Sequence, residues 1–279
     1  MDDLGTYAEN TWCPGCGNFG ILNAFKKAVH RLEGEGLRRQ DIAITAGIGC
    51  HAKIFDYLNL SGFYSLHGRS MATAQGMKLA NPRLKVVAFA GDGDAYGEGI
   101  AHMVFAAKRN ADITVIVHNN GTYGLTTGQY TPTSVKGFRG PSTPQGSVED
   151  PFNPLAVMLS AGATFVARGY PVKLEHLSDL FARAILHEGF SIVDVLQPCV
   201  TFNNTYERYN ESVTELEAVP ESFEDSLGAA RRTDRMLVGV MADVTKPSFH
   251  AELLNEKVPA VDRAEDSNRR KAILKAVRA

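Results

Sequence analysis

The stretch KVVAFAGDGDAYGEGIAHMVFAAKRNADITVIVHNNGTY, residues 85–123, decides the fold of this chain. The apolar run at residues 85–90 predicts a buried strand that stops at the glycine-rich turn 91–94. A mostly apolar, helix-compatible segment follows, and a second apolar run at 113–117 predicts another strand. Strand, turn, helix and strand in this order predict two parallel strands of an α/β sheet.

Side chains with oxygen atoms follow both predicted strands. Asp92 and Asp94 follow the first strand, and Asn119 and Asn120 follow the second. Ligands of open α/β sheets bind at this carboxyl edge, where glycines and helix N-termini let phosphate approach the backbone. Mg²⁺ usually takes few protein oxygens and fills its remaining positions with substrate phosphates. The stretch therefore predicts a clamp for a metal ion and a diphosphate.

The amino-acid composition indicates the broad class of protein. The chain has 279 residues, 44% hydrophobic and 22% charged, with a formal net charge of −2. These values are ordinary for a soluble globular protein, and the charge gives no reason to expect nucleic acid as a partner. We expect no membrane span and no signal peptide, hence a cytoplasmic protein in which the four cysteines stay reduced.

The rest of the chain continues the alternation of helices and strands. Asn18 is expected to cap a first helix, in which apolar residues recur at helical spacing over 19–32. Further helices are predicted at about 70–79, 154–160 and 174–186, and further strands at 42–46, 164–167 and 191–196. This alternation predicts an α/β fold with a mostly parallel sheet and helices on both faces.

Two segments are expected to be irregular, and a third to lie at the periphery. Residues 54–69 and the Gly-, Pro-, Ser- and Thr-rich residues 126–153 are interpreted as loops, the second long enough to be functional. Residues 1–200 are predicted to form the ligand-binding domain. Residues 201–279 are predicted to be an extension for subunit contacts, with a helix near 222–236, a strand near 237–241 and a basic terminal helix.

The cysteines allow several hypotheses. Cys13 and Cys16 form a WCPGC motif similar to a thiol–disulfide redox site, but such a motif should follow a strand directly, and only polar residues precede it. Cys50 and Cys199 are isolated and are typical of buried structural thiols. Both nevertheless follow predicted strands at the edge that holds Asp92. Four converging thiolates suit either Zn²⁺ or a [4Fe–4S] cluster, and the number of ligands does not distinguish the two.

The glycine turn excludes two common nucleotide motifs. A dinucleotide fingerprint needs a glycine where Tyr96 stands, and a Walker A loop needs a GK[ST] sequence. A single GDG would be an ordinary tight turn. Here it is followed by Asn-Asn and Gly-Thr-Tyr-Gly, and the combination resembles the thiamine diphosphate motif. That resemblance implies that Asp92, Asn120 and the Thr122 carbonyl hold Mg²⁺, which holds the diphosphate.

Six signatures in order, WCPGCG, GIGC, LHGR, GDGD, HNNGTYGLT and DVLQPC, cover about residues 10–200. They resemble the β subunit of a 2-oxoacid:ferredoxin oxidoreductase. The resemblance implies thiamine diphosphate, Mg²⁺ and one [4Fe–4S] cluster as cofactors. The implied cluster ligands are Cys13, Cys16, Cys50 and Cys199.

The same resemblance implies further site residues. Those that contact the cofactor are Ile48, Gly49, Cys50, His51, His67, Gly68, Gly93, Asp94, Gly124 and Leu125. Lys53, His67 and Leu125 are the predicted catalytic residues, with Lys53 near the substrate carboxylate. Thr127 stands where the family has a lysine, so substrate preference does not follow from the resemblance.

The implied reaction is the coenzyme A-dependent oxidative decarboxylation of a 2-oxoacid, or its reverse, with electrons passed to ferredoxin. An α subunit is expected to supply the aminopyrimidine-binding domain, because no second α/β unit is predicted after residue 200. The alternatives are a zinc-stapled diphosphate-binding module and a thiol–disulfide oxidoreductase that uses WCPGC.

Overall fold

The computed structural model describes residues 4–255, 257–263, 274–275 and 277. These residues contain one eight-stranded sheet with the order β2-β1-β3-β4-β6-β5-β8-β7. The strands are β1 Ile42–Ala46, β2 Ser61–Tyr64, β3 Lys85–Gly91, β4 Thr114–Asn119, β5 Phe165–Gly169, β6 Ser191–Leu196, β7 Val213–Glu215 and β8 Met236–Asp243. Strands β1 to β6 are parallel, and β8 is antiparallel to β5.

Helices cover both faces of the sheet. They are α1 Asn18–Gly34, α2 Ser70–Ala80, α3 Ile100–Lys108, α4 Pro154–Ala161, α5 Leu174–Leu186, α6 Tyr206–Ser212, α7 Phe223–Arg231 and α8 Phe249–Leu254. Alternate residues of a strand point to opposite faces. Val87 and Phe89 of β3 accordingly pack in the core formed with α1 and α5, whereas Ala88 packs in the core formed with α2, α3 and α4. The predicted α/β fold is confirmed.

The structure corrects three local predictions. Asn18 does not cap α1: it is the first helical residue, it is buried, and no side chain caps the helix. Residues 61–64, expected to be loop, form β2, an edge strand in which all four residues are exposed. The helix expected at 222–236 ends at Arg231.

The segment after residue 200 contributes to the main sheet. The strand predicted near 237–241 is present as β8, which pairs with β5. Residues 126–153 contain no helix or strand, as predicted, although two isolated bridges pair Tyr123 with Gln129 and Gly140 with Thr143. The predicted basic terminal helix falls almost entirely outside the described residues.

Candidate active site

A cleft of about 510 Å³ opens at the carboxyl ends of β1, β3 and β4. It is called the cofactor cleft below. The loops that follow these three strands place most of the predicted site residues in its wall. These are Ile48, Gly49, Cys50, His51, His67, Asp92, Gly93, Asp94, Asn120, Thr122, Gly124 and Leu125.

The glycines of the GDG turn leave no space for side chains. A Cβ atom at Gly93 would lie 2.2 Å from the Tyr123 ring, and one at Gly91 would lie 2.9 Å from Nδ1 of His51. Gly49 has φ of +146°, a conformation that side chains disfavour. The absence of side chains at Gly91 and Gly93 therefore lets the His51 and Tyr123 rings pack against the turn, and all four residues line the cleft.

Asp92 and Asn120 face each other across the ends of β3 and β4. One Asp92 oxygen, Oδ2, accepts hydrogen bonds from the hydroxyls of Thr131 and Thr133, the second at 2.6 Å. The other oxygen, Oδ1, has a longer contact of 3.4 Å with the Asn120 backbone N–H. Burial raises the pKa of Asp92. Oδ1 is thus the Asp92 oxygen that is better placed to take a cation.

Asp94 has a different environment from Asp92. Its Oδ1 accepts the backbone N–H groups of Gly68 at 2.7 Å and Ile48 at 3.3 Å. His67 Nδ1 lies 2.8 Å from Oδ1, and His51 Nε2 lies 3.6 Å from Oδ2. Although burial acts in the opposite direction, the two histidines hold the pKa of Asp94 well below its usual range. Asp94 therefore positions the turns at residues 48 and 68 around the cleft.

Gly68 lies beside the cofactor cleft, and its backbone N–H is one of the donors to Asp94. Its φ is +69°, and a Cβ atom there would lie 2.6 Å from the backbone of Glu98. The side chain of His67, 36% exposed, reaches the cleft, and its pKa is raised because Asp94 stabilises the imidazolium.

His118 is a cleft residue that the sequence interpretation missed. It is fully buried at the end of β4, and its Nδ1 lies 2.8 Å from Oδ1 of Asn18. Burial, assisted by His51, lowers its pKa well below the usual value, so the ring is neutral. Nδ1 then carries the proton, because Asn18 Oδ1 can only accept. A polar residue at the end of an apolar run, directly before Asn119, was the available signal.

The four cysteines line a second cleft of about 460 Å³, called the cysteine cleft below. Cys13 and Cys16 lie in the segment before α1, Cys50 follows β1, and Cys199 follows β6. All four are free thiols. No strand occurs between residues 4 and 17, which agrees with the argument against a thioredoxin-type site.

Hydrogen bonds hold the three cysteine segments together. The Trp12 indole N–H donates to the Cys50 carbonyl at 2.6 Å, and the Gly17 N–H donates to the Pro198 carbonyl at 3.1 Å. The Thr201 hydroxyl lies 3.2 Å from the sulfur of Cys13. Tryptophan and glycine of the WCPGCG motif therefore act as connectors between loops that are distant in sequence.

Burial raises the pKa of Cys16 to about 11 and also raises the pKa of Cys50. These thiols are protonated at neutral pH, and a bound metal would have to displace the protons. Among the residues that the structure describes, no group of three or more His, Cys, Asp or Glu side chains is arranged to hold a metal ion.

The cofactor cleft and the cysteine cleft share a wall made of Cys50, Asn120 and Gly124. A Cβ atom at Gly124 would lie 3.5 Å from the sulfur of Cys50 and 4.0 Å from that of Cys199. Because Gly124 has no side chain, only its backbone separates the two clefts at this position.

The remaining predicted residues lie at the margins. Lys53 borders the cysteine cleft, and its Nζ lies 3.0 Å from the Thr11 hydroxyl. Leu125 is 49% exposed at the mouth of the cofactor cleft. Thr127 has φ of +76°, a left-handed conformation that is unusual for a β-branched residue, and nothing in the structure explains it.

Comparison with known proteins links this site to thiamine enzymes. Residues 47–195 match the family model described as thiamine pyrophosphate enzyme, C-terminal TPP binding domain. The chain is 41% identical to the 2-oxoacid:ferredoxin oxidoreductase subunit beta of Saccharolobus solfataricus, over 90% of this chain and 87% of that protein. It is 35% identical to the 2-oxoglutarate synthase subunit KorB of Methanothermobacter marburgensis, over 85% and 84% of the two chains.

A solved structure gives the same assignment. The fold matches the 2-oxoglutarate:ferredoxin oxidoreductase from Magnetococcus marinus, a structure with 2-oxoglutarate, coenzyme A and succinyl-CoA bound. The TM-score is 0.89 with 33% sequence identity, and the match covers 98% of this chain and 94% of the other. None of the helices in the described residues has the length and apolar character that a membrane span requires.

Proposed function

This chain belongs to the family of 2-oxoacid:ferredoxin oxidoreductase β subunits, and we propose that it catalyses, with an α subunit, oxidation of a 2-oxoacid. The reaction converts a 2-oxoacid and coenzyme A into acyl-CoA and CO₂ and transfers two electrons to ferredoxin, or runs in reverse. The observation that carries the proposal is the thin wall of Cys50, Asn120 and Gly124 between the cofactor cleft and the cysteine cleft.

Thiamine diphosphate fits the cofactor cleft. Four glycines line it, Gly49, Gly91, Gly93 and Gly124, and residues without a side chain allow a diphosphate to approach the backbone. The buried Nε2 atom of His118 has no hydrogen-bond partner within the described residues. Because such an atom is costly to leave unpaired, it favours a polar ligand in the cleft. When bound, the cofactor supplies the electron sink that decarboxylation requires.

Asp92, Asn120 and the Thr122 carbonyl are the proposed Mg²⁺ ligands. The Thr131 and Thr133 hydroxyls hold Oδ2 of Asp92, which orients Oδ1 toward the cleft. Oδ1 of Asn120 accepts the Thr122 backbone N–H at 3.0 Å, which fixes the turn that would present the Thr122 carbonyl. Oxygen ligands of this kind suit Mg²⁺ with diphosphate oxygens completing its coordination.

Cys13, Cys16, Cys50 and Cys199 are the proposed ligands of one [4Fe–4S] cluster. A cluster binds each cysteine on a separate iron, so its ligands surround a cavity, whereas the ligands of a single Zn²⁺ must converge on one point. The four thiols line one common cleft. The proposed reaction must pass single electrons to ferredoxin, which favours the cluster because Zn²⁺ has no redox chemistry.

The other predicted residues have roles at the substrate. His67, whose pKa Asp94 raises, can hold a proton at the mouth of the cofactor cleft and donate it to a substrate oxygen. Leu125 covers the same mouth and would exclude water. Lys53, which lines the cysteine cleft and not the cofactor cleft, is proposed to attract the 2-oxoacid carboxylate because it matches the family's lysine.

Anaerobic purification with the α subunit tests the proposal. We expect a brown protein with about four iron atoms and labile sulfide per β chain, which reduces ferredoxin when given coenzyme A and a 2-oxoacid. Omission of coenzyme A and substitution of a panel of 2-oxoacids are the controls. A colourless protein that holds zinc would support the zinc-stapled module, and redox activity at WCPGC without iron would support the thiol–disulfide enzyme.

A further inference from the structure

A third cleft, of about 940 Å³, lies at the carboxyl edge beyond β5 and β6. It is called the arginine cleft below. Its wall comes from the ends of β4, β5 and β6, from α6 and α7, and from the loop at 133–135. None of the residues in its wall lines the cofactor cleft. No sequence motif pointed to it.

Arg168 at the base of the arginine cleft is a buried cation with few hydrogen bonds and only one distant counter-charge. It is 6% exposed, and its Nε has no hydrogen-bond partner within the described residues. It pairs in register with Asp194 of β6, but Nε lies 3.9 Å from the nearest Asp194 oxygen. A buried charge is stable only when it is paired and hydrogen-bonded.

Asp194 has other partners. Its Oδ1 accepts the Tyr96 hydroxyl at 2.7 Å, and Asn119 Nδ2 lies 3.1 Å and 3.2 Å from the two oxygens. These two neutral groups supply donors to both oxygens of the carboxylate. The guanidinium therefore retains donors that Asp194 does not accept.

The rim of the arginine cleft adds positive charge. Arg208, Arg231 and Arg232 line it and are exposed. Arg232 is paired with Asp234 at 2.8 Å, whereas neither Arg208 nor Arg231 forms an ion pair within the described part of the chain. Asp194 is the one carboxylate among the described residues of the wall. The cleft thus has a clear excess of positive charge.

We propose that the arginine cleft binds a small organic anion, with a phosphate or carboxylate group seated on the Arg168 guanidinium. Guanidinium groups present planar donor pairs that match both oxyanions. The cleft is large enough for more than a single ion, and Thr205 and Tyr209 in its wall offer polar and aromatic contacts to an organic portion. This site goes beyond the proposed reaction and does not depend on it.

Calorimetric titration of the full chain, purified with its α subunit, tests the proposal. The probes are inorganic phosphate, glycerol 2-phosphate and malonate, each at constant ionic strength, with and without saturating thiamine diphosphate and Mg²⁺. We expect saturable binding that persists when thiamine diphosphate is present. Tighter binding of the phosphates than of malonate would identify phosphate as the recognised group, and the opposite order would identify carboxylate.

Three variants locate the site. Arg168→Met and Arg208→Met should each weaken binding, the first by about tenfold or more. Arg109→Met is the matched control, since Arg109 is exposed at the end of α3 and lies outside the cleft. Replacement of Arg168 removes the charge beside Asp194 and could prevent folding. Arg208 is exposed, so Arg208→Met should fold and still tests the proposal.

Two results would overturn the proposal. One is the absence of saturable binding of all three probes to the wild-type complex, which includes the case in which the α subunit fills the cleft. The other is an equal affinity of wild type, Arg208→Met and Arg109→Met, which would place the bound anion elsewhere.

Discussion

Asp92 and Asp94 stand two positions apart and have opposite electrostatic environments. Burial raises the pKa of Asp92 although two hydroxyls donate to it, whereas contacts with His51 and His67 lower that of Asp94 despite burial. Asp94 is a fixed anion that organises two turns, whereas Asp92 keeps one oxygen, Oδ1, with only a long contact. The sequence GDGD alone treats them as equivalent.

Removal of the Asp92 charge should weaken cofactor binding. For Asp92→Asn we expect the affinity of the α/β complex for thiamine diphosphate with Mg²⁺ to fall by about tenfold or more, because the proposed anionic ligand of the metal is lost. Calorimetry with Mg²⁺ and with a chelator would measure it. Asp150→Asn, at an exposed position paired with Lys136, is the control and should leave the affinity unchanged. Equal affinities of wild type and Asp92→Asn would refute the clamp.

Loss of one thiol should remove the cluster. Cys199→Ala is expected to reduce iron and labile sulfide to a small fraction of wild type, because an open iron site makes a cluster labile. Iron analysis of anaerobically purified protein measures this. Val200→Ala changes a neighbouring residue of the same cleft without removing a sulfur, and it should retain the iron. Wild-type iron content in Cys199→Ala would mean that the fourth ligand is misassigned.

Among the elements, those with strong apolar patterns were predictable. The helix α5 and the strand β6 begin and end where the sequence predicts, because their buried faces are continuous. The strand β2 was missed because none of its residues is buried, so no pattern marks it. His118 and Arg168 were missed for a related reason. Each is a single charged or polar residue in an apolar strand, and its environment depends on residues that are distant in the sequence.

The buried ion pair of Lys78 with Asp112 joins α2 to the start of β4. Lys78 Nζ lies 2.6 Å from Asp112 Oδ2 and donates to the Leu84 carbonyl at 2.7 Å. Lys78→Met should lower the free energy of unfolding by about 3–5 kcal/mol, because it leaves a buried carboxylate without its counter-charge. Urea denaturation would measure this. Lys136→Met, which breaks an exposed pair, should change stability by no more than about 0.5 kcal/mol.

His187, after α5, predicts a pH dependence. It is half-buried beside Thr164, with Nε2 2.8 Å from the hydroxyl, and this burial lowers its pKa despite Asp243. The unfolded chain, with a histidine pKa of about 6.5, therefore binds the proton first as pH falls. The contribution of neutral His187 to the free energy of unfolding is therefore complete above about pH 6.5. It is lost as the pH falls from there toward the lower pKa of the folded state.

The variant His187→Gln tests this dependence. The difference in unfolding free energy between wild type and variant should be largest near pH 8 and should narrow near pH 5.5. Urea denaturation at the two pH values would measure the difference. A difference that is the same at both values would show that His187 has no shifted pKa.

The molecule as a whole presents the cofactor cleft and the cysteine cleft at one edge of the sheet, and both are open. We expect the chain alone to release little or no CO₂ from 2-oxoacids, and the addition of its α subunit to restore turnover. The physical reason is that the described residues contain a single α/β unit, while the proposed reaction of thiamine diphosphate also needs a site for the aminopyrimidine of the cofactor. Assay of CO₂ release with and without the α subunit measures this, and full turnover by the isolated chain would contradict it.

The pairing of β8 with β5 also constrains synthesis of the chain. β5 ends at Gly169, and its antiparallel neighbour begins at Met236. While the ribosome makes the intervening residues, the outer edge of β5 has no partner, and an open strand edge is a template for pairing with another chain. Until β8 is made, this edge of β5 is therefore a site at which nascent chains can associate.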